Sequence, residues 1–414
     1  MSIFSLLYPL FLLLSLGVAC PYHEGVDMTV DYTFITAANN DFRSTQREVP
    51  PAENEIAINN VRVFDGYQLL PATTVVIKGN TIQSIGHITN TETHIDGNGG
   101  VLLPGLIDAH AHPGNITDLQ NLSRYGVTTA MLMACFQPQL CQSLKNHTGL
   151  VDIVAGSLPA AAPGSIHGAI VVAVDGNGDR LVNNASMAPQ WVDDAVSWGP
   201  DFVKLIAESP GLDQQTLHVL TKRSHELGKH VACHASAFDA YNQAATAGVD
   251  NIQHAPLDQP ISTDLARQLA SRGQMVTPTL TILRAISDAS PGTRNYTAAE
   301  KTVRRLKEAG VPIIAGTDSN LIGGFVPIVP FGISLHEELR LLVQAGLSPA
   351  EALRAATSVA AKQWGLNDRG VIAPGKRADL VLVSGNPLED INATTTIQKV
   401  WLAGVEFSGA IGTF

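Results

Sequence analysis

The sequence predicts an α/β protein built on a (β/α)8 barrel of the TIM type, with a small discontinuous β-sandwich domain formed by both ends of the chain. Three observations predict this fold. Strand-like and helix-like segments alternate over roughly 250 residues, the span of a parallel barrel. Stretches rich in β-branched residues precede and follow this region. An open doubly wound sheet, the competing arrangement, is disfavoured because no Gly-x-Gly-x-x-Gly follows the first strand of the region.

Eight segments of the central region have the short, apolar composition of parallel strands. Helical segments separate them, and glycines such as Gly228, Gly248 and Gly310 mark where those helices end. Because active sites of such barrels lie at the carboxyl ends of the strands, polar residues there are the first candidates for function. The predicted strands are residues 106–112, 127–134, 152–158, 202–207, 230–234, 251–254, 275–280 and 312–318.

Composition divides the chain into five parts. Residues 1–19 are predicted to be a signal peptide, and residues 20–50 a polar N-terminal extension. Residues 51–103 form the first part of the predicted β-sandwich. Residues 104–366 form the barrel, and residues 367–414 form the second part of the sandwich with a C-terminal tail.

The N-terminus predicts export. Residues 6–16 form an apolar stretch that is too short to span a bilayer comfortably, and small residues at 17–19 favour cleavage after Ala19. The usual Lys or Arg before the apolar stretch is missing, so a membrane anchor is the alternative. We expect a secreted, extracellular protein.

Charge limits the classes of partner. The formal net charge is -11 and no basic run occurs, which argues against nucleic acid and against stable membrane association. Only 15% of the residues are charged and 45% are hydrophobic, which is typical of a well-buried globular enzyme. We expect a small-molecule substrate, and the sequence leaves open whether the chain forms homo-oligomers.

Export would permit two covalent modifications. Cys135 and Cys141 are close enough in sequence to form a disulfide, with two buried free thiols as the alternative. N-glycans can attach at Asn-x-Ser/Thr sequons, of which only a fraction is expected to be used. The sequons are at Asn115, Asn121, Asn146, Asn184, Asn295 and Asn392.

Five residues at predicted strand ends have the chemistry of metal ligands. His110 and His112 end the first strand, and side chains two residues apart on a strand point to the same side. His234, His254 and Asp318 end the fifth, sixth and eighth strands. Imidazole and carboxylate groups that converge on one rim form a suitable shell for zinc and related divalent metals.

Lys204 lies among apolar residues near the end of the fourth predicted strand. A buried ammonium is costly, which favours the neutral amine. A neutral lysine can react with carbon dioxide to form a carbamate, an anion with two oxygens that can bridge two metal ions. A lysine paired with a nearby carboxylate is the structural alternative.

The order of His-x-His, Lys, His, His and Asp on successive strands resembles the amidohydrolase superfamily. Four stretches are similar to its imidazolonepropionase-related branch, which includes fungal amidases and prolidase-like enzymes. The resemblance covers nearly the whole chain after Pro51 and is specific for fold and metal site, but not for substrate. The four stretches are residues 103–110 (LPGLIDAH), 316–318 (GTD), 350–357 (AEALRAAT) and 370–380 (GVIAPGKRADL).

The resemblance implies a binuclear metal-dependent hydrolase that cleaves an amide or cyclic amide bond. It implies that His110, His112 and Asp318 hold one metal and that His234 and His254 hold the other. Carboxylated Lys204 would bridge the two ions, for which zinc is the default and manganese is not excluded. A hydroxide shared by the metals would attack the substrate, with Asp318 as general base and then general acid.

Three other functions remain alternatives. A mononuclear deaminase of the same superfamily would typically lack the bridging lysine. The superfamily also includes ester and lactone hydrolases. A catalytically dead binding protein on this fold would have lost ligands, whereas all six expected positions are filled here. The segment His336-Glu337-Glu338 resembles a set of acid–base residues, but its place in a helix after the barrel favours a structural role.

Two loops distinguish this chain within the resemblance. The segment of residues 113–124 is short and carries the sequon at Asn115, where a glycan would obstruct the site, so we expect Asn115 to be bare. Residues 159–184 form a long, Gly-rich connection that is predicted to contribute to the pocket. Within it, His167 is either a substrate contact or an ordinary loop histidine.

Overall fold

The computed structural model describes residues 55–86, 91, 93–176, 178–321 and 326–412. The predicted signal peptide and N-terminal extension lie outside the described residues. The same holds for residues 51–54 of the predicted sandwich.

Strands occupy both ends of the described chain and the interior of the barrel. They are β1 (Glu55–Phe64), β2 (Leu69–Lys78), β3 (Thr81–Ile85), β4 (Thr93–Asp96), β5 (Val101–Pro104), β6 (Leu106–Ala111), β7 (Val127–Leu132), β8 (Asp152–Ala160), β9 (Phe202–Ile206), β10 (His230–His234), β11 (Asn251–Gln253), β12 (Met275–Thr277), β13 (Leu380–Val383), β14 (Ile397–Leu402) and β15 (Val405–Glu406).

Helices surround the barrel and follow it in the chain. They are α1 (Ile116–Arg124), α2 (Pro138–Ser143), α3 (Ile166–Asp175), α4 (Ala188–Val196), α5 (Gln214–Glu226), α6 (Phe238–Ala247), α7 (Thr263–Ser271), α8 (Leu280–Ala289), α9 (Tyr296–Ala309), α10 (Ile333–Gln344), α11 (Pro349–Ala355) and α12 (Ser358–Gln363). Among the residues that the structure describes, none of these helices is long and apolar enough to cross a membrane.

Seven consecutive parallel strands, β6 to β12, form the barrel wall. The eighth predicted strand, residues 312–318, makes only isolated bridges. Ile313 pairs with Val276 on one side, and Ser319 pairs with Ala111 on the other. The barrel is therefore nearly closed, and the predicted (β/α)8 fold class is confirmed.

The eighth segment deviates from a regular strand because it is squeezed between two neighbours. A Cβ atom on Gly316 would lie 2.5 Å from Thr277 Cγ2 and 2.9 Å from the His110 backbone nitrogen, so the chain passes there only as glycine. Asp318 then adopts a left-handed φ of 57°, which ends any extended ladder.

A separate sheet joins the two ends of the described chain. Its strand order is β15-β14-β13-β5-β1-β2-β3, with β4 added beside β1. The contact between the ends is the antiparallel pair β13–β5, in which Leu380 faces Pro104 and Val383 faces Val101. This sheet has its own core, in which Trp401 packs with Ile58 and Leu380. The boundaries 51–103 and 367–414 themselves stay predictions.

Two predicted segments differ in detail. The strand predicted for residues 275–280 ends at Thr277, because Thr279 adopts a left-handed φ of 49° and α8 begins at the next residue. The long connection after β8 is not all loop but contains α3, which Ser165 caps by accepting a hydrogen bond from the Gly168 backbone nitrogen.

The barrel interior is packed rather than hollow. Side chains such as Ile107, Met131 and Phe202 form a cluster inside it, and Trp364 packs against this cluster. Side chains fill the interior, and the open space among the described residues of the barrel lies at the carboxyl ends of the strands. Cys135 and Cys141 form a disulfide just after β7, which decides between the two alternatives for that pair.

Candidate active site

All six residues predicted to bind metal line one cavity of about 490 Å³ at the carboxyl ends of the barrel strands. His110 lies within β6 and His112 directly follows it, Lys204 lies in β9, and His234 is the last residue of β10. His254 follows β11, and Asp318 ends the irregular eighth segment. Residues far apart in sequence therefore meet because each one sits at the same rim.

Three of these residues form one half of the cluster. Asp318 Oδ1 lies 3.3 Å from His110 Nε2 and 3.0 Å from His112 Nε2. One ligand atom from each of the three lies within 4.8 Å of the other two, close enough for a single divalent ion to bind all three.

His234 and His254 form the other half, with ring centroids 4.5 Å apart. The two halves adjoin, because the His110 and His254 rings are only 4.8 Å apart. Lys204 lines the same cavity and is only 3% exposed. Among the described residues it makes no ion pair within 4 Å, so the alternative of a carboxylate-paired lysine finds no support.

Burial decides the ionisation of the basic groups. It lowers the pKa of His110 to about 4 and holds the pKa of His234 and of His254 well below the usual range. Burial also lowers the pKa of Lys204 to about 8. Neutral imidazoles keep a free lone pair, which is the form that binds metal, and a neutral amine is the form that reacts with carbon dioxide.

Asp318 is the anionic member of the cluster. Burial by itself opposes its ionisation, but the nearby His110 and His112 outweigh burial and hold the pKa of this carboxyl well below its usual range. The site thus combines one carboxylate with four imidazoles, the mixture of oxygen and nitrogen donors that zinc prefers.

Hydrogen bonds fix the orientation of two imidazole rings. His110 Nδ1 donates to Gln253 Oε1 at 2.7 Å, and His254 Nδ1 is hydrogen-bonded to Thr279 Oγ1 at 2.7 Å. In both rings Nδ1 makes the supporting hydrogen bond, so Nε2 is the nitrogen that is left to bind a metal in the cavity. Partners of this kind are characteristic of metal-binding histidines.

The backbone at the rim is unusual in three places. His254, Thr279 and Asp318 all have positive φ, at 74°, 49° and 57°. For residues other than glycine each such conformation costs roughly 1–3 kcal/mol and tends to cluster at functional sites. The left-handed turn at His254 redirects the chain directly after β11.

Glu338 is structural, although its sequence context resembles acid–base residues. Its carboxylate accepts hydrogen bonds from the backbone nitrogens of Leu280 at 2.9 Å and Thr281 at 2.7 Å, at the start of α8. Burial raises its pKa to about 8. The nearby His336 is hydrogen-bonded outside the metal-binding cluster, with Nδ1 3.0 Å from Thr394 Oγ1. Glu338 therefore anchors the helix that follows Thr279.

The cavity also contains a histidine–glutamate pair that the sequence does not predict. His167 Nδ1 lies 2.9 Å from Glu208 Oε2, and the His167 ring centroid lies 4.4 Å from that of His234. His167 is thus a cavity residue on α3 rather than an ordinary loop histidine. Glu208 lies two residues after the end of β9 and lines the cavity. Its position just past a strand end is the feature of the sequence that indicates a cavity residue.

The bond between Thr279 and His254 gives a test of the support around the site. Thr279→Val keeps the shape of the side chain but removes the hydroxyl. We expect a roughly 10- to 100-fold loss of zinc affinity, the usual effect of removing a second partner of a metal-binding histidine. Competition with a chelating dye measures this affinity. Thr281→Val, which loses a hydroxyl near Glu338, is the control, and equal losses in both variants would contradict the role of Thr279.

The chain is similar in sequence to known hydrolases. The family model described as the amidohydrolase family matches residues 203–406. This range includes Lys204, His234, His254 and Asp318. Over 409 residues the chain is 24% identical to an imidazolonepropionase of Idiomarina loihiensis, covering 82% of this chain and 93% of that protein.

Two solved structures share the fold. A Xaa-Pro dipeptidase with methionine bound in its active site has a TM-score of 0.74 at 22% identity, covering 86% of this chain and all of the other. The ochratoxinase of A. niger has a TM-score of 0.71 at 18% identity, covering 86% of this chain and 96% of the other. At these identities the likeness shows the fold alone.

Proposed function

Because this chain belongs to the amidohydrolase family, which includes metal-dependent hydrolases of C–N bonds, we propose that it is a binuclear hydrolase that cleaves an amide or cyclic amide. One observation carries the proposal. Four histidines, one aspartate and a buried lysine without an ion pair among the described residues line a single cavity. This set offers two groups of ligands and a residue suited to link them.

The donors fit two divalent ions, and zinc is the metal we propose. His110, His112 and Asp318 would hold one ion, and His234 and His254 would hold the other. Lys204, as its carbamate, would link the two groups of ligands. Two such ions would lower the pKa of bound water and polarise the carbonyl of the substrate.

The protein's own groups supply positioning and proton transfer. In the proposed reaction Asp318 accepts a proton from the attacking water and passes it to the leaving nitrogen. His110 and His112 keep the Asp318 carboxylate ionised, and Gln253 and Thr279 hold two of the imidazoles in place. The packed barrel interior below the site excludes water from that side.

Metal analysis combined with a hydrolysis screen tests this function. Purified protein loaded with zinc is assayed for metal content and for activity on N-acyl amino acids, Xaa-Pro dipeptides, lactones and esters. We expect two equivalents of metal per chain and cleavage of an amide. One equivalent with release of ammonia from an amino-substituted ring would support a deaminase instead. Selective cleavage of esters or lactones would show that the substrate is an ester or lactone instead of an amide. Protein that binds no metal would support a binding protein without catalytic activity.

We also propose that the protein is secreted. The Cys135–Cys141 disulfide suits an oxidising compartment, and the sequons at Asn146, Asn184, Asn295 and Asn392 are exposed. Asn115 differs, because its side chain caps α1 by accepting from the Asp118 backbone nitrogen at 3.1 Å. This engagement fits the expectation that Asn115 carries no glycan.

Export predicts a mature N-terminus at Cys20 and a mass that falls on treatment with an endoglycosidase. Mass spectrometry of protein from the culture medium of a eukaryotic host measures both. Asn115→Gln should leave the glycan mass unchanged, whereas substitution of the four exposed sequons should remove it. Secreted protein that retains Met1 and shows no mass shift would contradict both cleavage and glycosylation.

A further inference from the structure

One face of α3 presents branched aliphatic side chains to the active-site cavity. Ile166, Ile170 and Val174 all line it, and their spacing of four residues places them in one row along the helix. Each is only partly buried, so apolar surface is open to the cavity. This row spans about 12 Å, since a helix rises about 1.5 Å per residue.

A second helix contributes another apolar wall. Ile282, Leu283 and Ile286 of α8 line the same cavity, where Ile286 is partly exposed and the other two are buried. Both walls begin at the metal-binding cluster. On α3, His167 contacts the His234 ring, and α8 starts directly after Thr279, which is bonded to His254. The apolar surface therefore extends outward from the His234 and His254 half of the cluster.

This arrangement selects among substrates. A small polar ring would fill only the part of the cavity next to the histidines and would leave the α3 row and Ile286 in contact with water. We propose that the α3 row and Ile286 together bind a long apolar substituent of the substrate, an unbranched chain of about eight carbons, as judged from the 12 Å length of the row. The proposal rests on the proposed function and narrows its substrate class to amides with a medium-length alkyl chain.

Two series of amides test the proposal, one for each side of the scissile bond. The first runs from N-acetylglycine to N-octanoylglycine, and the second from N-methylacetamide to N-octylacetamide. Burial of each methylene gives up to about fourfold in kcat/KM, so in one series the eight-carbon compound should exceed the shortest by at least about 100-fold. Cleavage of amides with no dependence on chain length in either series would overturn the inference and leave the proposed function standing.

Two valines on α3 provide a matched pair of variants. Val174 lines the cavity, whereas Val172 on the same helix is 37% exposed and lies outside the cavity lining. Val174→Asp should lower the ratio of long-chain to short-chain kcat/KM by at least about tenfold, because a carboxylate beside the chain must be desolvated. Val172→Asp should change the ratio by less than about twofold. Val174→Thr and Val172→Thr, which preserve side-chain shape, serve if the charged variants fold poorly. Equal effects in both positions would overturn the inference.

Binding of alkylphosphonates separates the inference from catalysis. Calorimetry with methylphosphonate and octylphosphonate needs no turnover, so it applies even if no amide in the screen is cleaved. We expect octylphosphonate to bind at least about 30-fold more tightly, with the advantage reduced in the Val174 variant. Equal affinity of the two phosphonates would contradict the apolar site, whereas octylphosphonate binding without amide cleavage would contradict only the proposed function.

Discussion

Replacement of Lys204 with alanine is expected to lower kcat/KM by roughly 1,000-fold or more, which corresponds to about 4 kcal/mol of transition-state stabilisation. It should also release at least one metal ion. The reason is that the proposed carbamate supplies two oxygens to the ions, and alanine supplies none. Enzyme kinetics and metal analysis of the purified variant measure the two losses.

The Arg variant distinguishes a bridging ligand from a structural cation. If Lys204 acted only through its charge, Lys204→Arg would retain much of the activity. A guanidinium stays protonated and cannot form a carbamate, so we expect this variant to be as inactive as the alanine variant. Exposed Lys222 on α5 provides the control, and Lys222→Ala should retain full activity.

Chemical rescue and labelling complete the test of Lys204. Short carboxylic acids, together with carbon dioxide, should restore part of the activity of Lys204→Ala, because a diffusing carboxylate can occupy the place of the carbamate. A carbamate carbon signal from ¹³C-labelled bicarbonate should appear in the native protein and disappear in both variants. Substantial activity with two bound metals in Lys204→Arg would overturn the two-metal mechanism.

Replacement of Asp318 with asparagine is expected to reduce kcat by roughly 1,000- to 10,000-fold, the range over which a positioned acid or base contributes to a rate. Asparagine has nearly the same shape and retains one carbonyl oxygen, but it cannot accept the proton. Because the loss concerns proton transfer, kcat should fall much more than KM rises. Steady-state kinetics at saturating zinc measures the two parameters separately.

The controls for Asp318 address folding and charge. Asp264 is exposed on α7, pairs with Arg267 at the surface and is not part of the cavity lining, so Asp264→Asn removes a carboxylate without touching the cavity. It should retain native activity. A kcat within tenfold of the native value in Asp318→Asn would show that another group transfers the proton, and Glu208 in the cavity lining would then be a candidate.

The residues at the ends of the predicted strands indicate where the active site lies. Side chains at the carboxyl ends of parallel strands in a barrel meet at one rim whatever their distance along the chain, and the structure indeed brings His110, His254 and Asp318 together. This placement did not depend on the exact length of any strand. His254, for example, lies one residue beyond β11 and still reaches the cavity.

Other features could not be predicted because they depend on contacts between distant parts of the chain. The left-handed backbone of Thr279 and its bond to His254 leave no periodic pattern in the sequence. The helix α3 lies in a Gly-rich stretch, so the sequence predicts a loop there and not a helical row of aliphatic residues. The irregular eighth segment arises from close packing of Gly316 between two neighbouring strands.

The pairing of β13 with β5 has a consequence for biosynthesis. Without β13, strand β5 would present an unpaired edge, and exposed edges promote association between chains. A ribosome makes residues 101–104 long before residues 380–383, so the sheet of the first segment stays incomplete until nearly the whole chain has emerged. A nascent chain that stalls before β13 would therefore expose the edge of β5 to chaperones or to other chains.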